Sequence, residues 1–538
     1  MLVLIRRRIR DSAIFVFLVP ITFTLNVLYA RLDPEIHHDG IILPAAIAAS
    51  EGLVPNRDFF TQYGPIGTII QGFWIDLTSP TLYSLRILSA ILITLSTLLT
   101  IKLTKDFWGL SLSSLVVCTS AIAYPTVLPA MIPWPTLITT NLILICLIIV
   151  KRLEAESSLS NYISFLLIGI ILGIGFYIRL HMFAIFVLLC LTLMIISKLR
   201  KELFALILGF STIAGSVTIY QIVNSSFDDF INQCILFPLG NYGGLSKGKA
   251  SIVDICLFGM FLLYFLFSLS YFRFAKTMEK TRKFTKEEFI FFSIFFVGIS
   301  SIIYFLGNQA NELPVSERSF LNPVYLSLWI LEHSRFLIGY SAIGFVFIYT
   351  LKVLITRMRP TLNDSLLLAI GLGTITQLYP SPDQLHVWWI TPVAIVCAAH
   401  LSQLRMGRSA YPVLIGLLVM QLLNVYNTLS VERFAYKAKV YEGMIGTEKL
   451  IDESAEIAGK ELIRGRSYFH CNHGIYAAPS GEYLAATHDF VDWGPQIQDK
   501  VNQPGTHFSC NHKRDFIPDK AIILWEVPEH DFYIWKQN

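Results

Sequence analysis

Long unbroken apolar runs alternate with short polar interruptions along most of this chain. A helix that crosses a bilayer needs roughly 17–25 mostly apolar residues. Thirteen runs of about that length are read near residues 12–30, 82–101, 107–127, 134–150, 161–178, 180–197, 202–222, 251–272, 287–306, 335–355, 363–378, 387–403 and 411–429. They predict an all-α polytopic membrane protein with about 13 transmembrane helices over residues 1–429. Residues 430–538 are polar and break the pattern. Ala521–Val527 and Phe532–Trp535 read as strands and Thr447–Glu461 as a helix, which predicts a small α/β domain there.

Composition agrees. Of 538 residues, 54% are hydrophobic and 15% charged, against about 25% charged in an ordinary soluble protein, and the mean hydropathy is +0.58. These values exclude an ordinary soluble enzyme and a disordered chain. Gly 32 and Cys 8 exclude a collagen-like chain and a disulfide scaffold. A net charge of +4 is too small to signal nucleic acid, and none is expected as a partner. Its distribution is more telling. The connections 1–11, 102–106, 151–160, 198–201, 273–286, 356–362 and 404–410 hold 21 Lys and Arg, whereas those on the other side before residue 430 hold only Arg31, Arg57, Arg179, Lys247, Lys249 and Arg318. Positive residues accumulate on the cytoplasmic side. The N-terminus is therefore expected in the cytoplasm, with the first loop, 31–81, and the domain 430–538 exported. The first run follows Arg6, Arg7, Arg8 and Arg10 and exceeds the 7–15 residues of a signal h-region, so it reads as an uncleaved anchor.

The exported loop 31–81 is richer than a connector. It reads HHDGIILPAAIAASEGLVPNRDFFTQYGPIGTIIQGFWIDL over most of its length. Ile41–Ala49 is apolar and suits a short interfacial helix. Pro65 suits the first position of a second helix, with Ile66, Ile69, Ile70 and Phe73 on one face. Two such helices would pin the polar residues between them at the membrane surface.

At these residues the sequence resembles the integral-membrane glycosyltransferases of the GT-C type. The likeness is to their family 39 group, which includes protein O-mannosyltransferases and lipid A aminoarabinose transferases. Asp39 stands where those proteins carry an acidic residue at the head of the first exported loop. Gly52, Pro55, Arg57 and Asp58 match their G-x-x-P-x-x-D stretch, and Tyr63-Gly64-Pro65 stands at their proline tract. Two departures are plain: His37, His38 and Gly40 flank Asp39 where many relatives carry paired acids, and Tyr63-Gly64 replaces a Lys or His with Pro-Pro. The match covers the first hundred residues, and beyond them it is one of topology. The resemblance implies transfer of a sugar, with inversion, from a polyprenyl-phosphate donor to a hydroxyl of a glycan, lipid or protein acceptor, beside the membrane lipids.

That chemistry sets demands on the residues. The attacking hydroxyl needs a base, for which Asp39 is the candidate; its plain reading is a helix cap opening residues 40–50. The leaving phosphate needs cations or N–H donors. Arg57 and Arg179 are the candidates, Arg179 lying between two spans in GFYIRLHMF, where the alternative is snorkelling to the interface. Asp58, His38 and Tyr63 are further candidates for contacts to sugar or phosphate. A second polar cluster, QLYPSPDQLHVWW, places Asp383 and His386 three residues apart between two spans, as a capped turn or as a cavity face opposite Asp39. His37, His38, Asp39, Asp383 and His386 include donors for a divalent metal if the two loops meet, with no metal assigned.

Cys118, Cys146, Cys190, Cys256 and Cys397 fall in apolar runs and read as small buried hydrophobes. Cys471 and Cys510, in the exported tail, are candidates for a disulfide; the repeated Cys-Asn-His flanks leave zinc as the alternative. Two rival functions remain. A transporter or flippase of lipid-linked sugars would carry its ionisable residues near mid-membrane. A polysaccharide ligase or polymerase would place its key Arg and His in a large late loop. The expected location is a bacterial inner membrane, with no eukaryotic retrieval signal at the C-terminus.

Overall fold

The computed structural model describes residues 2–32, 36–59, 61, 63–123, 131, 133–153, 159–195, 199–236, 286–309, 322–334, 337–356, 360–378, 384–402, 410–429, 467–469, 505–509, 521–527 and 532–537. Helices fall on twelve of the thirteen apolar runs, and the run 251–272 lies outside the described residues.

Helix α1 (Leu2–Ala30) leads to the helices of the loop 31–81, α2 (Ile36–Ser50) and α3 (Pro65–Leu77). Helix α4 (Leu82–Trp108) starts where the Thr81 hydroxyl accepts the Ser84 amide and runs for 27 residues, about 40 Å at 1.5 Å per residue. It ends on Gly109, at φ 80°, and α5 (Leu110–Ala123) reverses at once. Helices α6 (Pro135–Val150), α7 (Leu159–Phe176), α8 (Met182–Ile195) and α9 (Arg200–Val223) follow. One helical turn, α10 (Phe227–Phe230), continues as a π-helix over Ile231–Leu236. After an undescribed stretch come α11 (Lys286–Gln309), α12 (Pro323–Ser334), α13 (Leu337–Thr356), α14 (Leu362–Ile375) with a 3-10 turn to Leu378, α15 (Gln384–Ser402) and α16 (Ala410–Leu429).

Four of these, α4, α7, α9 and α13, are both long and apolar enough to cross a membrane, and several others carry shorter apolar stretches. The chain is a multi-pass membrane protein. Large apolar side chains such as Phe17, Phe204, Ile219, Phe291, Ile294 and Leu354 are exposed, as lipid-facing residues must be. Lipid is as apolar as leucine, so helix association depends on close packing. Helices α7 and α9 show this. A Cβ on Gly169 would lie 2.2 Å from the Leu206 carbonyl oxygen, and one on Gly209 would lie 2.2 Å from that of Leu166. Leu147, Leu172, Leu189, Leu206, Ile370 and Val393 join α6, α7, α8, α9, α14 and α15 in one buried cluster.

Helix α15 contains Pro392, whose ring cannot supply an amide to the helix ladder. The amide it lacks would meet the Trp388 carbonyl; the carbonyls on either side also accept hydroxyls, Thr391 donating to Val387 at 2.8 Å and Thr140 of α6 to Trp389 at 2.9 Å.

The described residues beyond 430 form a four-stranded sheet. Its strands are β1 (Ser467–Phe469), β2 (Gly505–Ser509), β3 (Ala521–Val527) and β4 (Phe532–Gln537), in the order β1-β2-β4-β3. Strand β1 pairs parallel with β2, and β4 pairs antiparallel with β2 and β3, with a register shift between Ile523 and Trp525. The strands expected at Ala521–Val527 and Phe532–Trp535 are present. The helix expected at Thr447–Glu461 lies outside the described residues, as do Cys471, Cys510 and Asp383.

Candidate functional site

Helix α2 starts at Ile36, so Asp39 lies inside its first turn and does not precede the helix as a cap. Asp39 is fully buried. Its carboxylate is gripped by Arg86, the fifth residue of α4, itself 1% exposed. Arg86 Nε donates to Asp39 Oδ1 at 3.3 Å and Nη2 donates to Oδ2. Arg86 Nη1 donates to the Leu32 carbonyl, at the end of α1. Three segments are thus tied at one point. Removing one partner of a buried ion pair costs roughly 3–5 kcal/mol, because the other charge stays buried.

The next turn is tight, with Gly52 at φ 83° and Asn56 at φ 70°. The Asp58 carboxylate accepts the Val54 amide at 2.7 Å. Arg57 closes a fork on Asp58, Nε to Oδ1 and Nη2 to Oδ2, each 2.8 Å, and Nη1 reaches the Asn224 carbonyl at 3.1 Å. The Asp58 hydrogen bond raises the Arg57 pKa above its ordinary value. The two side chains are part exposed and spend their charge largely on each other.

The π-helical turn clamps the same loop. Gln233 Oε1 accepts from the Thr61 amide and from Asn56 Nδ2, both at 3.1 Å, and Gln233 Nε2 donates to the Asn56 carbonyl at 2.7 Å. The Cys234 thiol donates to the Tyr63 carbonyl at 3.2 Å. Burial pushes that thiol up to about 12, which keeps it protonated as a donor.

From Tyr63 an aromatic series leads inward. Tyr63 meets Trp134 edge-on at 5.2 Å, Trp134 stacks on Trp389 at 5.7 Å, and His386 stands edge-on to Trp389 at 5.0 Å. The Ile66 amide donates to the Tyr177 carbonyl at 3.2 Å, and Gln71 Nε2 donates to the Pro133 carbonyl at 2.7 Å. The approach at Tyr177 requires glycine at residue 64, since a Cβ there would lie 2.0 Å from the Tyr177 carbonyl oxygen. These contacts bring the starts of α3, α6, α8 and α15 together at one end of the bundle. Helix starts carry roughly half a positive charge and helix ends the opposite; with the ends of α7 and α14 at the same level, the cation of this cluster is the Arg179 guanidinium.

Polar side chains stand among these helix starts. Arg179 is 7% exposed, in the turn between α7 and α8. His181 follows it, and burial holds its imidazole pKa well below the usual 6.5, with the charges of Arg179 and His386 adding to the effect. Gln377 is fully buried beside His181, and neither its amide atoms nor His181 Nε2 has a hydrogen-bond partner among the described residues.

Of the residues expected from sequence, Tyr63 and His386 are joined through two tryptophans, and Arg179 and His386 both act on His181. Arg57 and Asp58 pair with each other at the surface, while Asp39 is held by Arg86. His38 lies on the first turn of α2, and its side chain is outside the described set, as is Asp383. Among the described residues no group of three or more His, Cys, Asp or Glu is placed to hold a metal. Sequence reasoning missed Arg86, Trp134, His181, Gln233 and Gln377 as site residues. Arg86 carried one signal, a lone charge early in an apolar run.

No protein-family model matches the sequence, and no curated protein matches it. Solved structures with a similar course of the chain do exist. The crystal structure of ArnT from Cupriavidus metallidurans bound to undecaprenyl phosphate aligns over 97% of both chains with 11% identity and a TM-score of 0.49. The archaeal oligosaccharyltransferase AglB from Archaeoglobus fulgidus, in complex with an inhibitory peptide and a dolichol-phosphate, aligns over 92% of this chain and 69% of its own with 11% identity and a TM-score of 0.46. An Archaeoglobus fulgidus oligosaccharyltransferase complex with Zn and sulfate aligns with 11% identity over 92% of this chain and 68% of its own, at a TM-score of 0.44.

Proposed function

We propose that this chain is a GT-C-type membrane glycosyltransferase that moves a sugar from a polyprenyl-phosphate donor to an acceptor hydroxyl on the exported face. One observation carries the reading. The starts of α3, α6, α8 and α15 meet at one end of the bundle around Arg179, His181, Gln377 and His386, and the buried carboxylate of Asp39 lies at that same end. A membrane-edge anion site with a carboxylate at the same level is what transfer from a lipid phosphate requires. The positive-inside bias supports an orientation with that end outside the cytoplasm.

In this mechanism the acceptor oxygen attacks the anomeric carbon from the face opposite the phosphate. The bond from that carbon to the phosphate oxygen breaks, and the configuration inverts. Polyprenyl phosphate departs with the bonding pair and is steadied by Arg179 and His386. Asp39 takes the hydroxyl proton. Tyr63, backed by the buried Trp134, offers aromatic surface to the sugar, while Arg57 and Asp58 shape the loop above it.

The test uses the purified full chain with synthetic undecaprenyl-phosphate hexoses and pentoses, and mass spectrometry of released undecaprenyl phosphate. Asp39→Asn is expected to lower release by about 100-fold or more while still binding undecaprenyl phosphate. Arg179→Gln is expected to raise the donor KM. Release by Asp39→Asn at the parent rate, or translocation of the donor without cleavage, overturns the assignment.

A further inference from the structure

We propose that Gln233, on the π-helical turn Ile231–Leu236, is a positioning residue of this site: its carboxamide sets the course of the first loop and so holds Tyr63 where it can meet the donor sugar. The inference rests on the glycosyltransferase reading and adds to it a residue far from that loop in sequence. Its ground is geometric. Gln233 Nε2 donates to the Asn56 carbonyl at 2.7 Å, and Gln233 Oε1 accepts from Asn56 Nδ2 and from the Thr61 amide, both at 3.1 Å. Asn56 Nδ2 also donates to the Thr61 carbonyl at 3.0 Å. Both main-chain polar groups of Thr61 therefore trace back to one side chain, the amide directly and the carbonyl by way of Asn56. Each carboxamide has one workable orientation, because its nitrogen faces a carbonyl oxygen and could not be exchanged for an acceptor.

The grip falls between Ser50, the end of α2, and Pro65, the start of α3, where no helix ladder fixes the backbone. Asn56 is 2% exposed and stands at φ 70°, in the left-handed region that few residues other than glycine adopt. Two residues after Thr61, the Tyr63 carbonyl accepts the Cys234 thiol of the same turn, and Gly64 then abuts Tyr177. Tyr63 is thus set between two fixed points, half-buried, with its ring edge-on to Trp134. A gap of roughly 0.5–1 Å forfeits about a quarter to a half of the dispersion energy of a contact. A loop released from Gln233 would therefore lose hold of the sugar, while Arg179 and His386, which meet the phosphate in this mechanism, stand on other segments. Gln233 acts through Tyr63 and touches no reacting atom.

The experiment compares the parent chain with Gln233→Ala and Gln233→Glu, each also made on a Tyr63→Leu background, all full length in detergent and checked for a single monodisperse species. Gln233→Glu keeps the shape of the side chain but turns an acceptor toward the Asn56 carbonyl; it decides the matter if Gln233→Ala does not fold. Two quantities are measured. One is KM and kcat for release from the synthetic undecaprenyl-phosphate hexose or pentose that the parent turns over. The other is the inhibition constant of free undecaprenyl phosphate, which has the same lipid and phosphate and lacks the sugar. Either Gln233 variant is expected to raise donor KM about tenfold, with the inhibition constant within about twofold of the parent's. On the Tyr63→Leu background the same substitutions are expected to change KM less than about twofold, because two residues that act through one contact are not additive. An equal rise in KM on that background, or an inhibition constant that rises with KM, shows a general structural role and overturns the positioning one while leaving the transferase reading intact. Parent-like KM in a monodisperse Gln233 variant overturns it as well. Absence of release from every donor by the parent chain overturns the transferase reading and the positioning role together.

Discussion

At the scale of single residues, the end of the bundle that holds Arg179 and His386 also holds an imidazole kept neutral by its surroundings. Burial and the neighbouring Arg179 and His386 charges hold His181 well below its usual pKa. An unfolded histidine takes up its proton near pH 6.5, whereas the folded one resists it. The unfolded state therefore binds more protons below about pH 6.5, and stability falls as the pH drops through that window. The slope from one such group is at most about 1.4 kcal/mol per pH unit. His181→Asn is expected to flatten the loss of thermal midpoint between pH 6.5 and 5 relative to the parent chain in detergent. An unchanged slope shows that another group carries it. Sequence gave access to only part of this chemistry. Arg179 and His386 stand out as polar residues between spans, but Gln377 looks like any loop amide, and nothing in the spacing from Asp39 to Arg86 tells that a fold closes it. Polar partners brought together by tertiary packing leave no periodic trace.

At the scale of elements, the apolar runs were legible because length and continuity alone decide whether a helix can span. The start of α4 after Thr81 and that of α3 at Pro65 agree with local capping chemistry. The short helices α2 and α3 were legible too, but two other short helical segments were not. Helix α12 and the π-helical turn at Ile231–Leu236 lie in connections between the apolar runs, because a few helical residues held by packing need no periodic pattern of their own. That turn is what holds the first loop, through Gln233 and Cys234. The first loop is pinned from its other side where residue 64 touches Tyr177. Gly64→Ala puts a Cβ 2.0 Å from the Tyr177 carbonyl oxygen, so backbone must shift. The expected loss is about 1–3 kcal/mol, read as a lowered thermal midpoint. A midpoint equal to the parent's shows that the loop gives way freely.

At the scale of the whole molecule, the described helices alternate in direction so that Asp39, Tyr63, Arg179 and His386 share one end of the bundle. Orientation across the membrane follows the proposed charge bias and is checked by reporter fusions. Alkaline phosphatase joined after residue 429 is expected to be active, and the same reporter joined after residue 408 inactive; the reverse pattern places the site in the cytosol. The proline in α15 bears on how such a molecule responds to what it binds. Pro392 leaves the helix without one rung, and α6, through Thr140, holds the carbonyl of Trp389 just above the gap. The span is therefore jointed: its outer segment, with His386 and Trp389, is moored to a neighbouring helix, while its inner segment packs in the core through Val393, Val396 and Cys397. A headgroup pressing on the outer segment would swing it together with α6, and the inner half would feel that swing as a bend and not as a push.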